Sequence, residues 1–168
     1  MLSRKEETVD ETFIQMVAFK LEEEEFAVNI HQVKEVIKMP QVTPLPHAAH
    51  YIEGIINLRG EVIPVICLRK RFQLPVEDGR EQARIIIIDI NENSVGLIVD
   101  SVTEVLRVSS EAIQLPPSTR AGVRTDLIES VGKLDERLLI ILDLTKILSS
   151  QEMVSLEEIT LSDKGSSN

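Results

Sequence analysis

The chain contains two copies of one sequence pattern, and this duplication constrains its fold more than any other feature. Residues 26–38 (FAVNIHQVKEVIK) align with residues 95–107 (VGLIVDSVTEVLR) at a separation of 69 residues, and most apolar positions of one copy face apolar positions of the other. A second block, residues 52–68, aligns with residues 128–144 at a separation of 76 residues. Two copies of one structural unit therefore explain the pattern better than a single irregular fold.

Each copy is expected to form about five β-strands. The chain holds 20 Ile and 17 Val but only four Phe and one Tyr, and β-branched residues favour strands over helices. Five strands make a poor open sheet with two bare edges, so closure into a small barrel is expected for each copy. The runs 85–88 and 138–142 are apolar on both strand faces, which predicts that the two barrels pack side by side.

The predicted boundaries follow from these patterns and from changes in composition. Apolar residues at helical spacing in residues 143–159 predict an amphipathic helix that covers one barrel. The resulting organisation has a flexible N-terminus (1–12), a first barrel (13–72), a linker (73–82), a second barrel (83–148), and the end of the C-terminal helix with a flexible tail (149–168).

The charge balance argues against several classes of partner. A formal net charge of −10 repels phosphate backbones and anionic lipid, so no nucleic acid and no direct membrane insertion are expected. The one compact basic stretch, residues 69–71, is predicted to be a solvated turn. No signal peptide or membrane-length apolar run is visible, and a single cysteine, Cys67, fits a reducing compartment. These features predict a cytoplasmic protein.

The inventory of chemically reactive residues is too thin to predict catalysis. The seven glycines form no phosphate-binding loop, and nothing singles out a pair of carboxylates for acid–base chemistry. His47 and His50 could share a metal ion, but the sequence offers no second pair of ligands to complete a tetrahedral site. We therefore expect no enzyme activity, no cofactor and no metal.

The two copies differ most at the tip of one predicted hairpin. Asn57-Leu58-Arg59-Gly60 in the first copy corresponds to residues 133–136 (KLDE) in the second, which reverses the charge at the third position. Gly60 fits a tight turn, because glycine adopts a positive φ without steric cost. Arg59 could pin the loop to Glu35 or could face a binding partner, since arginine is enriched where proteins meet. The residues alone leave both roles open.

These segments together resemble the CheW-like domain family of bacterial chemotaxis. The resemblance covers about residues 13–150 and rests on four segments: 26–37, 53–69 with its NLRG core, 95–108 and 138–148. It implies two SH3-like five-stranded barrels side by side. It also implies a non-catalytic adaptor that couples transmembrane chemoreceptors, the methyl-accepting chemotaxis proteins, to the histidine kinase CheA.

The resemblance further implies where the partners bind. The cytoplasmic helical hairpin of the receptor would lie in an apolar groove between the barrels, flanked by Val17, Ile30, Val33 and Val36. Glu35 and Arg59 match the family's charged pair beside that groove, and Asn57 and Gly60 complete the loop that presents the arginine. The regulatory domain of CheA would meet the barrel ends. The alternative is an SH3-like module that binds peptides or nucleic acid and is unrelated to chemotaxis.

Overall fold

The computed structural model describes residues 12–76, 81–116 and 125–147, which are mostly β-strand. The strands are β1 Phe13–Leu21, β2 Glu24–Asn29, β3 Val33–Lys38, β4 Ile52–Leu58, β5 Glu61–Cys67, β6 Arg84–Ile90, β7 Asn93–Val99, β8 Ser101–Ser109, β9 Ile113–Gln114, β10 Ile128–Leu134 and β11 Arg137–Leu142. One short helix, α1 (Leu68–Arg71), and the 3-10 helices Ile30–Gln32, Ser110–Ala112, Thr125–Leu127 and Leu144–Lys146 connect or follow them. The predicted mostly-β fold is confirmed.

The strands form two sheets that exchange their first hairpins. Sheet A has the order β8-β1-β2-β11-β10-β9, and sheet B has the order β3-β6-β7-β5-β4. The β1–β2 hairpin of the first copy thus lies among the strands of the second copy, and the β6–β7 hairpin of the second copy lies among those of the first. The two sheets are equivalent even in detail, since each contains one parallel pair, β2 with β11 and β5 with β7.

This exchange corrects the predicted division of the chain into two consecutive barrels. Each sheet takes strands from both 13–72 and 83–148, so neither range contains a complete sheet. Apolar alternation determines which strand face is buried but not which strand is its neighbour, and equivalent strands of the two copies carry the same alternation. Parts of the predicted N-terminus, linker and C-terminal helix, together with the tail, lie outside the described residues.

The two edges of each sheet are connected by continuous chain. In sheet A, the edge strands β8 and β9 follow each other directly through the 3-10 helix Ser110–Ala112. In sheet B, Thr43 follows β3 and exchanges two backbone hydrogen bonds, of 2.9 and 2.8 Å, with Ile55 on β4. The sheets therefore curl as small barrels do, although the strand pairs of the described residues do not form a complete ring.

Three apolar clusters fill the described part of the molecule. The central cluster lies between the sheets and contains Phe19 of β1 and Ile86 and Ile88 of β6, while two smaller clusters fill the inner faces of sheets A and B. Ile85 and Ile87 point into sheet B, so run 85–88 is buried on both faces, as predicted. The other predicted run, 138–142, begins one residue too early, because Leu138 is 51% exposed.

Candidate partner-binding surface

The tip of the β4–β5 hairpin is a two-residue turn that presents Arg59. Leu58 pairs with Glu61, and both intervening residues have positive φ, 52° at Arg59 and 90° at Gly60. The Gly60 N–H donates a 2.9 Å hydrogen bond to Asn57 Oδ1, which holds the turn from one side. Two positive φ values define the turn type that matches the twist of paired strands, and arginine is unusual at its first position.

The Arg59 side chain connects the two edges of sheet B. Its Nη2 forms an ion pair with Oε2 of Glu35 on β3. Because β3 and β4 are the opposite edge strands of that sheet, the pair bridges the seam between them. The arginine side chain is 69% exposed, whereas that of Glu35 is 33% exposed. The contact thus leaves most of the arginine side chain exposed to solvent.

A strip of apolar side chains runs along β3 beside this ion pair. Val33 pairs with Ile88 and Val36 with Ile86, so both valines lie on the sheet face that carries the central cluster. Ile30 and Val33 are partly buried against that cluster, whereas Val36 is 40% exposed. The strip therefore continues the core between the sheets out to the surface.

Val17 does not belong to this surface. It lies on β1 within the central cluster and is only 3% exposed, because Val28 and Val105 flank it on the neighbouring strands. The implied role of Val17 in flanking the groove is therefore corrected to a role in the core. The other seven implied residues lie on β3, on the 3-10 helix just before it, and at the β4–β5 tip. They are Ile30, Val33, Glu35, Val36, Asn57, Arg59 and Gly60.

Sheet A carries an equivalent ion cluster that was not predicted. Arg137, the first residue of β11, lies 2.9 Å from Glu104 on edge strand β8 and 2.7 Å from Glu25 on β2. Glu104 is the duplicate of Glu35, so the same edge strand is tied to a hairpin in both sheets. Val105, the duplicate of Val36, is 52% exposed beside it. The alignment of Glu35 with Glu104 could have indicated this second ion cluster. It was missed because the arginine stands at a different position in each hairpin.

The environment of Glu25 shifts its protonation equilibrium. Burial raises its pKa, but hydrogen bonds from Arg137 and Thr103, together with the charges of Arg137 and Lys20, outweigh burial and lower the pKa of this carboxyl below its usual value of 4.5. The hydrogen bond with Glu25 in turn raises the pKa of Arg137. Thr103 occupies a bulge of β8, and its hydroxyl lies 3.0 Å from both the Ala18 carbonyl and Glu25. This cluster is satisfied within the molecule.

The basic stretch after β5 is not the solvated turn that was predicted. Arg69 is 6% exposed and holds Asp100 with two hydrogen bonds of 2.9 and 2.6 Å, while a third reaches the Pro75 carbonyl at 2.6 Å. Lys70 pairs with Glu53, and Arg71 donates to the Ile147 carbonyl at 2.6 Å. Arg69 and Lys70 thus form ion pairs within the molecule, and Arg71 is held by backbone carbonyls.

Other features of the described residues offer little for chemistry. No group of three or more His, Cys, Asp or Glu side chains could hold a metal ion there, and no helix within those ranges is long and apolar enough to cross a membrane. A cleft of about 360 Å³ opens at sheet A, where Ile14, Met16, Ile113 and Thr145 are among its lining residues. It contains none of the residues implied by the family resemblance.

The comparisons with known proteins agree on one family. The family model for the CheW-like domain matches residues 15–152. Chemotaxis protein CheW of Treponema pallidum is 39% identical over 154 residues, which span 89% of this chain and 90% of that protein. The Bacillus subtilis protein of the same name is 38% identical over 143 residues, spanning 83% and 90%. Both alignments cover nearly the whole length of the relatives.

A solved structure agrees as well. The scaffolding protein TtCheW from Thermoanaerobacter tengcongensis superposes with a TM-score of 0.78 and 37% sequence identity, and the match covers 84% of this chain and 96% of that chain. These similarities displace the alternative of a barrel module unrelated to chemotaxis.

Proposed function

Because this chain belongs to the CheW-like domain family and is thus a chemotaxis scaffold protein, we propose that it couples transmembrane chemoreceptors to the histidine kinase CheA. It acts by binding, without catalysis and without a cofactor. The family match over residues 15–152 carries this proposal, since it includes every described strand except the first two residues of β1. The protein would work at receptor arrays on the inner face of the membrane.

The receptor is proposed to bind beside the β4–β5 tip. An amphipathic helical hairpin needs an apolar surface bordered by polar groups, and Val36 with its partly buried neighbours Ile30 and Val33 provides the apolar part. Glu35 precedes Val36 on edge strand β3, with its side chain on the opposite face of the sheet, and its pair with Arg59 adds one negative and one positive group at the sheet edge. An arginine whose side chain is 69% exposed can keep its ion pair and still donate further hydrogen bonds to a partner.

The kinase is proposed to bind elsewhere, at the ends of the two sheets. A typical specific interface buries about 800 Å² on each partner, and the total accessible surface of 10026 Å² can hold two such interfaces. The regulatory domain of CheA is itself CheW-like by the family resemblance, so sheet ends of similar shape would meet. Simultaneous binding of both partners is what an adaptor requires.

Reconstitution with receptor-containing membranes and CheA tests this function directly. Phosphorylation of the kinase is expected to become receptor-dependent and attractant-sensitive only when this chain is added. Kinase activity that stays insensitive to the receptor, while both partners are active with a bona fide coupling protein, would contradict the proposal.

Charge reversal separates a binding role of Arg59 from a pinning role. Arg59→Glu is expected to abolish receptor coupling while circular dichroism shows an intact fold, because a surface ion pair contributes only about 0.2 to 1 kcal/mol to stability. The double variant Glu35→Arg with Arg59→Glu restores an ion pair in reversed orientation. It should remain uncoupled if the guanidinium contacts the receptor, whereas recovery of coupling would show that Arg59 only pins the loop.

A further inference from the structure

The hairpin exchange makes each half of the chain depend on the other for its hydrogen bonds. Strand β1 pairs with β8 along almost its whole length, from Phe13 with Ser109 to Lys20 with Ser101. Strand β3 pairs with β6 from Val33 to Lys38. The parallel pairs β2 with β11 and β5 with β7 also join one half to the other. Without its partner, the first half keeps only the β1–β2 and β4–β5 hairpins, and the second keeps the β6–β7 hairpin and the β10–β11 hairpin with the two-residue strand β9. Isolated two-stranded hairpins are marginally stable in water.

The apolar clusters show the same dependence. In sheet A, Met16, Ala18 and Ala27 of the first half pack against Val108, Leu139 and Ile141 of the second. In sheet B, Ile56, Ile63 and Val65 of the first half pack against Ile85 and Ile87 of the second. The central cluster also draws on both halves. No cluster of the described residues would survive in one half alone.

Buried charge reinforces the contact between the halves. The Arg69 side chain is 8% exposed and that of Asp100 is 16% exposed, and two hydrogen bonds join them across the division. Arg71 of the first half also donates to carbonyls of Lys146 and Ile147 in the second, at 3.2 and 2.6 Å. A buried charge such as that of Arg69 is costly when its partner Asp100 is absent, so this pair favours association of the two halves.

We infer that residues up to 76 and residues from 81 onward are obligate binding partners, so that the chain is a fused, pseudo-symmetric dimer. The surface that each half would expose alone is the apolar strand array that packs against the other half in the folded chain. Covalent continuity between Val76 and Glu81 is therefore unnecessary for the folded state. This inference concerns the fold and does not rest on the proposed function.

Cutting the folded, full-length chain tests the inference. A specific protease site is inserted between Val76 and Glu81, both of which are exposed, and cleavage is verified on a denaturing gel. Native mass spectrometry is expected to show a single one-to-one complex of the two fragments. Its thermal midpoint should fall on dilution, whereas that of the uncut chain should not. Fragments that separate under native conditions, or that unfold in two concentration-independent transitions, would overturn the inference.

Two arginine variants of the cut protein provide a matched comparison. Arg69→Ala removes the two hydrogen bonds to Asp100 that cross the division, together with contacts to Pro75 and Glu22 within the first half, and should raise the dissociation constant about a hundredfold or more. Arg84→Ala removes hydrogen bonds to the Glu81 and Ala83 carbonyls, which lie within one half, and should change it less than about threefold. If Arg69→Ala unfolds the uncut chain, Asp100→Asn replaces it. Equal effects of the variants on the dissociation constant would contradict the inference.

Discussion

The substitution Arg59→Gly tests whether the hairpin tip needs the arginine side chain or only its backbone conformation. Arg59 has a φ of 52°, and an L-residue in the left-handed region costs about 1 to 2 kcal/mol. Arg59→Gly relieves that strain. It also removes a surface ion pair worth about 0.2 to 1 kcal/mol and adds about 0.5 to 1 kcal/mol of unfolded-state entropy. These effects oppose each other, so stability should change by less than about 1 kcal/mol.

The duplicate position supplies the control for this substitution. Asp135 is also the first residue of a two-residue turn and also has a φ of 52°. Asp135→Gly therefore makes the same backbone change in the other sheet, without removing a guanidinium. Urea unfolding should place both variants within about 1 kcal/mol of the parent protein.

Receptor coupling should distinguish the two glycine variants. Only Arg59→Gly is expected to lose receptor-dependent kinase activity in the reconstituted system, because only that variant lacks the side chain proposed to meet the receptor. Full coupling by Arg59→Gly, or equal losses in both variants, would refute a binding role. A loss of more than about 2 kcal/mol in Arg59→Gly alone would instead identify Arg59 as a structural residue.

Two further substitutions test the packing and the ion cluster. Gly54→Ala should lower the free energy of unfolding by at least about 2 kcal/mol, because the new Cβ would lie 2.0 Å from the Thr43 carbonyl oxygen. The control is Gly132→Ala, whose new Cβ would make only normal van der Waals contacts. It should lower the free energy of unfolding by less than about 1 kcal/mol in the same urea titration. Glu25→Gln should cost stability above pH 4.5, and that cost should shrink as the pH falls below 4.5, because the pKa of Glu25 is lowered in the folded protein. A cost independent of pH in urea titrations across that range would show that the charge of Glu25 toward Arg137 contributes nothing.

The duplication predicts equivalence between strands, but it does not predict which strands pair. The β1–β2 and β6–β7 hairpins carry similar apolar patterns, and either hairpin could lie between a β3-like and a β5-like strand. Equivalent bulges at Lys34 and Thr103 show that even irregularities were copied. The choice between consecutive and exchanged sheets depends on how the short connections between strands route the chain, and residue periodicity carries no information about that.

The geometry of the hairpin turn and its ion pair was predicted from the sequence, whereas the burial of the basic stretch after β5 was not. The turn at Gly60 and the pairing of Arg59 with Glu35 follow from a glycine at a hairpin tip and from opposite charges. The burial of Arg69 depends on Asp100, which is distant in sequence, so composition alone suggested a solvated turn. The sequence did contain one indication that Arg69 is buried. Arg69 follows the buried run that ends at Leu68, and Asp100 likewise follows the apolar end of β7.

The two copies meet the same structural requirement in different ways, and the difference leaves Arg59 more exposed than Arg137. Both sheets tie an edge-strand glutamate to an arginine of a hairpin. In sheet A, Arg137 lies on the strand and is held by both Glu25 and Glu104. In sheet B, Arg59 stands at the turn, pairs with Glu35 and stays largely exposed. Arg137 is already bonded to Glu25 and Glu104, whereas the guanidinium of Arg59 can donate new hydrogen bonds to the proposed partner at small cost to the fold.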